Sequence, residues 1–194
     1  QRFVLLPRAD AVASGFRTAG DALASRRTEI LQQATGIANE VNARASEIAE
    51  LNGRIASAEA LGGDTSGLRD RRDVLVREIG ERAPVQSFED AEGAVSVLVG
   101  GAALVNGDRA STLGVGLGPA GNMTLTVTSP TGFGVDVTSR VDAGTLAGLR
   151  EARDVDIADA EAGLDALARD FATAVNAVHS GGFGLDGVSG RGLF

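Results

Sequence analysis

The sequence predicts an α+β fold: an elongated antiparallel bundle of long helices with a small antiparallel β subdomain inserted in it. Three observations carry that reading. Apolar and small residues recur at steps of three and four from Pro7 to Ala60, with no further proline. The texture changes to period two between Val85 and Val141, and the helical period returns at Gly144, two repeats that separate helix from strand.

Taken in order, the first helix is expected from Pro7 to Ala60, and at about 1.5 Å per residue it would run roughly 80 Å. Its seam is Val12, Phe16, Ala19, Leu23, Ile30, Ala34, Ile37, Val41, Ala45, Ile48, Leu51 and Ile55. That stripe is as narrow as a coiled-coil seam, with a stutter over Ile37, Val41 and Ala45. Glu40 with Arg44 and Glu50 with Arg54 stand outside it, each acid four residues before its base, the favourable order. A helix of this kind needs a partner over its seam.

Leu61–Gly67 is a turn cluster, with Gly62 suited to a left-handed C-terminal cap and Asp64 or Thr65 to receiving the free amides of the next helix. That second helix is expected from Ser66 to Arg82, with Leu68, Leu75, Ile79 and Ala83 on one face, antiparallel to the first because the connection is short. Pro84 ends it. Strands are expected at Val85–Phe88, Ala94–Val99, Ala102–Leu104, Thr112–Leu117, Met123–Thr128 and Phe133–Thr138, arranged as a meander. Glu92-Gly93, Gly100-Gly101 and Asn106-Gly107 supply turn signals. One unbroken third helix runs from Gly144 to about Ser180, seamed by Leu146, Leu149, Arg153, Ile157, Ala160, Leu164, Leu167, Phe171, Val175 and Val178. The domain plan is therefore residues 1–83 as the first part of a helical shaft, 84–141 as a β-rich subdomain, 142–180 as the helix completing the shaft, and 181–194 as a glycine-rich tail. Both ends are abrupt, as expected of a fragment, and the isolated fragment is expected to be monomeric.

Composition narrows the function. Seven Phe without Trp or Tyr suit a slim core of Leu, Val, Ile and Ala. All 18 basic residues are Arg, so chemistry that needs a lysine is excluded. A net charge of −8 argues against nucleic acid as a partner. No apolar run reaches membrane-spanning length, and Gln1–Pro7 is too short for a signal peptide. The absence of Cys excludes disulfides and thiolate metal sites.

Each candidate for chemistry has a plainer explanation. Gly116-Leu117-Gly118-Pro119-Ala120-Gly121 has the spacing of a dinucleotide-binding loop, but a strand comes next where a helix must stand, so a hairpin loop is expected. Gly181–Ser189 matches one calcium-binding nonapeptide, and a single copy cannot make the stacked roll that holds calcium. Asp154, Asp156 and Asp159 lack the glycine turn and closing Glu of a calcium loop and are expected to form a solvated acidic face. His179 is a lone imidazole at a helix end. Leu68–Leu75 is expected to pair charges between helices, and Asn122-Met123-Thr124 is a chance acceptor sequence. No catalytic, cofactor-binding or metal-ligating residue is assigned, and no enzyme is expected.

Further stretches occur in a telling order. Ile48-Ala49-Glu50-Leu51-Asn52-Gly53-Arg54-Ile55 ends the long helix, and Leu68, Asp70, Arg72 and Asp73 mark the second. Gly144, Leu146, Gly148, Leu149, Arg153 and Asp154 open the third, Val175, Asn176, His179 and Gly182 close it, and Gly184, Asp186, Gly187 and Gly190 precede Phe194. This series, over most of residues 40–194, resembles the FlgK family of flagellar hook-associated proteins. One departure is Ala143-Gly144, where that family often has Gly-Gly. Others are the terminal coiled-coil segments and the further β domains, which residues 1–194 do not contain.

The resemblance implies a structural subunit at the hook–filament junction, extracellular and exported unfolded through the flagellar type III apparatus. Implied partners are other copies in a ring, the hook protein, the neighbouring junction protein and the filament, with an export chaperone bound through a missing C-terminal segment. Nucleic acid and membrane are not implied as partners. The alternatives are another axial protein, flagellin-like or hook-like, or a secreted calcium-binding adhesin resting on Gly181–Ser189.

Overall fold

The computed structural model describes residues 2–91, 93–183 and 187–194. The α+β class is present: a long helix with shorter ones, and two small antiparallel sheets. The chain divides into two compact units, Glu29–Asp154 and Gln1–Thr28 with Val155–Phe194. Helix α1 (Arg2–Ala60) contributes to both. It begins earlier than the seam suggests, with Pro7 inside its opening turns. There the missing N–H of a proline forfeits one bond close to an end that frays.

In the larger unit, α1 stops at Gly62, which takes a φ of +71° that only glycine adopts freely. Gly62 N and Gly63 N return to the carbonyls of Glu59 and Ala58. Helix α2 (Ser66–Gly80) runs back antiparallel to α1, two residues shorter than expected, because Glu81–Ala83 close in a tight turn before Pro84. Asp64, rather than Thr65, serves its N-terminus: its Oδ1 accepts from the Ser66 amide at 2.9 Å.

The expected single meander is two. Strands β1 (Val85–Glu89), β2 (Val95–Val99), β3 (Ala102–Asn106) and β4 (Arg109–Ala110) form one sheet in that order. Strands β5 (Thr112–Leu117), β6 (Met123–Thr128) and β7 (Gly134–Asp136) form the other. The two-residue β4 is too short to show a period-two pattern. A bulge opposite Val97 turns both Leu104 and Val105 inward, which is how a strand can bury two consecutive side chains. Met123, Leu125 and Val127 face inward from β6 and their intervening threonines outward. Val97, Val99, Leu104, Leu113 and these β6 residues join Val41, Ala45, Ile48, Leu75 and Ile79 in one buried core. Its apolar helical positions begin at Ala34 along α1.

The expected third helix is interrupted. Helix α3 (Gly144–Glu151) leads into a single π-turn, Ala152–Asp156, and helix α4 (Ile157–His179) comes after it. The larger unit ends inside the π-turn. Helix α3 begins hard against the end of α2: Leu146 N donates to Arg82 O at 2.9 Å and Thr145 N to Glu81 O at 3.3 Å.

The smaller unit contains residues 2–28 of α1 and α4, lying antiparallel with Phe16 beside Phe171 and Arg27 paired to Glu161 at 3.0 Å. Among the described residues of this unit, Ile157 alone is buried. Its Phe16, Leu23, Leu164 and Val175 are half-buried. The seam of α1 is thus mostly dry from Ile30 onward and wet before it.

The departure at Ala143-Gly144 now has a physical reading. Ala143 is extended, with φ −141°, and any residue fits there. Gly144 has φ +78°, and a Cβ on it would lie 2.8 Å from the carbonyl carbon and oxygen of Arg82. Gly144→Ala is therefore expected to destabilise the larger unit by about 2–4 kcal/mol, against less than about 1 kcal/mol for Ala143→Gly. Urea unfolding of the two variants checks the contrast.

Candidate functional site

A helix spends its own N–H and C=O groups internally, so its hold on a strand must come from side chains. In the larger unit that task falls to Asn52, next after the seam residue Leu51 on α1. Its Nδ2 donates to Val95 O at 2.9 Å and Gly107 O at 2.8 Å, while its Oδ1 accepts from Val95 N at 3.1 Å. Arg72 of α2 completes the knot. It is 2% exposed, and its Nη1 donates to Asn52 Oδ1 at 3.1 Å and Gly93 O at 2.7 Å. One amide and one guanidinium thereby tie α1, α2, the β1–β2 turn and the β3–β4 turn.

Asn42, one residue after Val41, repeats the grip on the second sheet. It donates to Leu113 O at 2.9 Å and accepts from Leu113 N at 2.7 Å. The amide thus pairs with β5 along its outer edge, as a neighbouring strand would.

The π-turn supplies a third anchor. Arg153, 6% exposed, donates to Gly121 O at 2.9 Å, and Asp154 accepts from Met123 N at 2.7 Å. The two side chains also pair with each other. Consecutive residues of a regular helix point about 100° apart; in the wider turn both reach one hairpin. Asp154 is consequently a partly buried acceptor, not the member of a solvated acidic face expected from sequence, whereas Asp156 and Asp159 are exposed. Arg150 of α3 also donates to Thr138 O.

Leu68–Leu75 divides its work. Arg69 pairs with Glu59 of α1 and with Glu89, and Arg71 pairs with Glu47, the inter-helix charge pairing expected, but Arg72 is withdrawn into the knot. The Arg69 guanidinium, helped by the Thr65 hydroxyl, holds the Glu59 carboxyl below its ordinary range. Asp64 is lowered by the amide and hydroxyl of Ser66, and Asp136 by Thr138.

The smaller unit offers a different kind of surface. Leu167 is 59% exposed and Val178 82% exposed, with Leu6 and Phe183 also open. Ala19, Leu23, Ala160, Gly163, Leu164 and Leu167 line an apolar groove of about 630 Å³. Leu5, Phe171, Ala174, Val175, Val178 and Leu193 line another of about 430 Å³, with His179 at its border. A helix pair leaves such grooves because two cylinders cannot enclose a core.

The remaining candidates take plain structural places. Gly116–Gly121 closes the β5–β6 hairpin, with Gly118 N bonded to Asn122 O and β6 directly after it. The Asn122 acceptor sequence starts at that hairpin's exit. Within Gly181–Ser189, Gly184, Leu185 and Asp186 lie outside the described residues, as does Glu92 of the Glu92-Gly93 turn signal. Among the described residues no group of His, Asp and Glu is placed to hold a metal, and no helix is long and apolar enough to cross a membrane. Sequence reasoning missed Asn42. Its signal was a weak helix former directly after a seam residue, in the middle of a strong helix.

The family model for the flagellar hook-associated protein FlgK helical domain matches residues 1–194. The chain is 26% identical to flagellar hook-associated protein 1 of Escherichia coli K12 and 27% identical to that of Salmonella typhimurium, in each case over 100% of this chain and 36% of the relative. It therefore spans about a third of the length of these curated relatives. A solved structure, the flagellar hook junction protein FlgK from Burkholderia pseudomallei, superposes with a TM-score of 0.84 at 29% identity, over 96% of this chain and 35% of that one.

Asn52→Ala leaves Val95, Gly107 and Arg72 without their partner, and a loss of about 3–5 kcal/mol is expected in chemical denaturation. Glu59, Asp64 and Asp136 have folded-state pKa values below their unfolded ones. Their contribution is therefore complete above the usual carboxylate range and disappears as pH falls through the lowered values. Thermal unfolding midpoints are expected to be flat in this respect near neutrality and to drop in acid, less steeply in Glu59→Gln.

Proposed function

Since the chain belongs to the FlgK family of flagellar hook-associated proteins, as its helical domain, we propose that it is a structural part of the bacterial flagellum that joins hook to filament. The observation that carries this reading is the open apolar face of the smaller unit. Leu167, Phe171 and Val178 recur at helical spacing on α4 and stay accessible, while a few residues away in sequence the larger unit buries most of its seam. Contiguous exposed apolar side chains rimmed by polar ones mark surfaces meant for other protein. A neighbouring helix of the same assembly is the covering that seam geometry accepts.

In this reading the work is mechanical and not catalytic. The larger unit, tied by Asn52, Arg72 and Arg153, keeps its shape, and the smaller unit supplies the contacts. The β-rich stretch 84–141 is an insert carried by the helices of 1–83 and 142–180, with the tail 181–194 after them. The partners are other copies in a ring, the hook protein, and the next junction protein and filament. The protein is extracellular and reaches its place unfolded through the flagellar export apparatus; a chaperone would bind a segment outside residues 1–194. A chain with no cysteine suits that route, since nothing has to be oxidised after export.

The test uses a strain from which the whole gene has been deleted. Hooks without filaments are expected, and normal filaments on those hooks would defeat the proposal. In complementation, whole protein carrying Leu167→Glu and Val178→Glu is expected to be exported and folded yet to lower the number of filament-bearing cells about tenfold or more, since a charge in a desolvated contact acts as a hot-spot loss. Electron microscopy of the cells, with circular dichroism of the purified variant, reads both halves.

A further inference from the structure

Beyond His179 the chain has glycine at 181, 182, 184, 187, 190 and 192, a composition that favours loose coil. Residues 187–194 nevertheless turn back and lie antiparallel to α4. Gly187 and Gly190 provide the bends, with φ +78° and +82°. Gly190 N donates to Ser180 O at 3.0 Å. The segment's last two residues are then held by one side chain. Asn176 Oδ1 accepts from Leu193 N at 2.6 Å and Phe194 N at 3.1 Å, and Asn176 Nδ2 donates to Phe194 O at 3.0 Å. The Phe194 ring stands edge-on to Phe171 with centroids 5.6 Å apart, and Phe171 meets Phe16 at 6.2 Å.

The fit is close. A Cβ on Gly192 would sit 3.1 Å from Asn176 Oδ1, so glycine lets the strand approach the amide. Phe194 remains 43% exposed, and water competes for its two bonds to Asn176. The tail is thus ordered, and Asn176 holds its last two residues.

We propose that residues 187–194 are a releasable strap latched by Asn176. Seated, the strap shields part of Phe171 and adds Leu193 to the wall of the groove lined by Leu5, Val175 and Val178. Released, it uncovers that stretch of α4. The strap therefore governs how much of the smaller unit's apolar face is available, and the residue that governs the strap is a helical asparagine that buries no core surface of its own.

Amide exchange by NMR on residues 1–194 tests this. In the unaltered chain the Leu193 and Phe194 amides are expected to be protected about 10- to 100-fold over unstructured peptide, the range that a surface clasp of a few hydrogen bonds can give. Asn176→Ala should abolish that protection and the Phe171–Phe194 ring contact while amides of β2 and β6 exchange as before. Asn176→Asp keeps the acceptor but loses the donor to Phe194 O, and intermediate protection is expected. Gly192→Val changes the strap without touching α4, and should release it too; this variant decides the matter if Asn176→Ala also loosens the helix. Unprotected Leu193 and Phe194 amides in the unaltered chain would overturn the latch. So would protection that survives both Asn176→Ala and Gly192→Val. The readout involves no flagellum, so the outcome is separate from that of the junction role.

Discussion

The larger unit depends on solving one problem of hydrogen bonding. A long helix must be held to two sheets, and a helix has no free backbone groups except at its ends. Apolar packing can press the surfaces together, but it is non-directional and does not fix register. Asn42 and Asn52 do fix it, because a carboxamide presents one donor and one acceptor side by side, matching the C=O and N–H of a single residue in an extended strand. Leu113 and Val95 are each gripped in that way. Arg72 then couples the knot to α2 and to the Gly93 carbonyl. The bonds from Nη1 offset part of the cost of burying that charge, while its Nε stays buried without a hydrogen-bond partner among the described residues.

The same device occurs in the smaller unit with a different energetic setting. Asn176 comes directly after Val175 as Asn42 does after Val41 and Asn52 after Leu51, and all three grip extended backbone. Asn52 does so in a dry core, where a missing partner leaves polar groups stranded. Asn176 does so at the surface, where water is available as a substitute. The same side chain therefore makes a lasting tie in one place and, in the proposal above, a reversible one in the other. Burial, not bond count, makes the difference.

Much of this was legible in the sequence because it rests on periodicity. The seam from Ile30 to Ile55, the turn at Gly62, the alternation of Met123–Thr128 and the paired charges of Arg69 and Arg71 are local patterns with local causes. The rest depends on partners distant along the chain. Nothing in the spacing of Val12, Phe16, Ala19 and Leu23 distinguishes them from Ile30, Ala34 and Val41, yet the first set stays wet because a single helix, α4, lies beside it. The split into two sheets turns on the short β4 and the bulge at Leu104 and Val105. The π-turn breaks a helix whose steps of three and four continue through Arg153 to Ile157, so the spacing alone concealed it. Arg72 looked like one more charge on a charged helix. Only its neighbours, Asn52 and the Gly93 carbonyl, make it a core residue.

The π-turn also bears on why core and open face belong to the same polypeptide. A regular helix from Gly144 onward would send Arg153 and Asp154 in different directions, and one of the two β6-side contacts, at Gly121 or Met123, would be lost. Widening a single turn retains both and lets the helix resume at Ile157 with its apolar stripe intact. π-turns are a costly geometry and persist where surrounding contacts compensate for them; here a buried guanidinium and a carboxylate do so. The larger unit is thus fastened up to its final residue, Asp154, and in the smaller unit apolar burial ends at Ile157. From there α4 runs on with its seam only partly covered, Leu164 and Val175 half-buried and Leu167 and Val178 exposed.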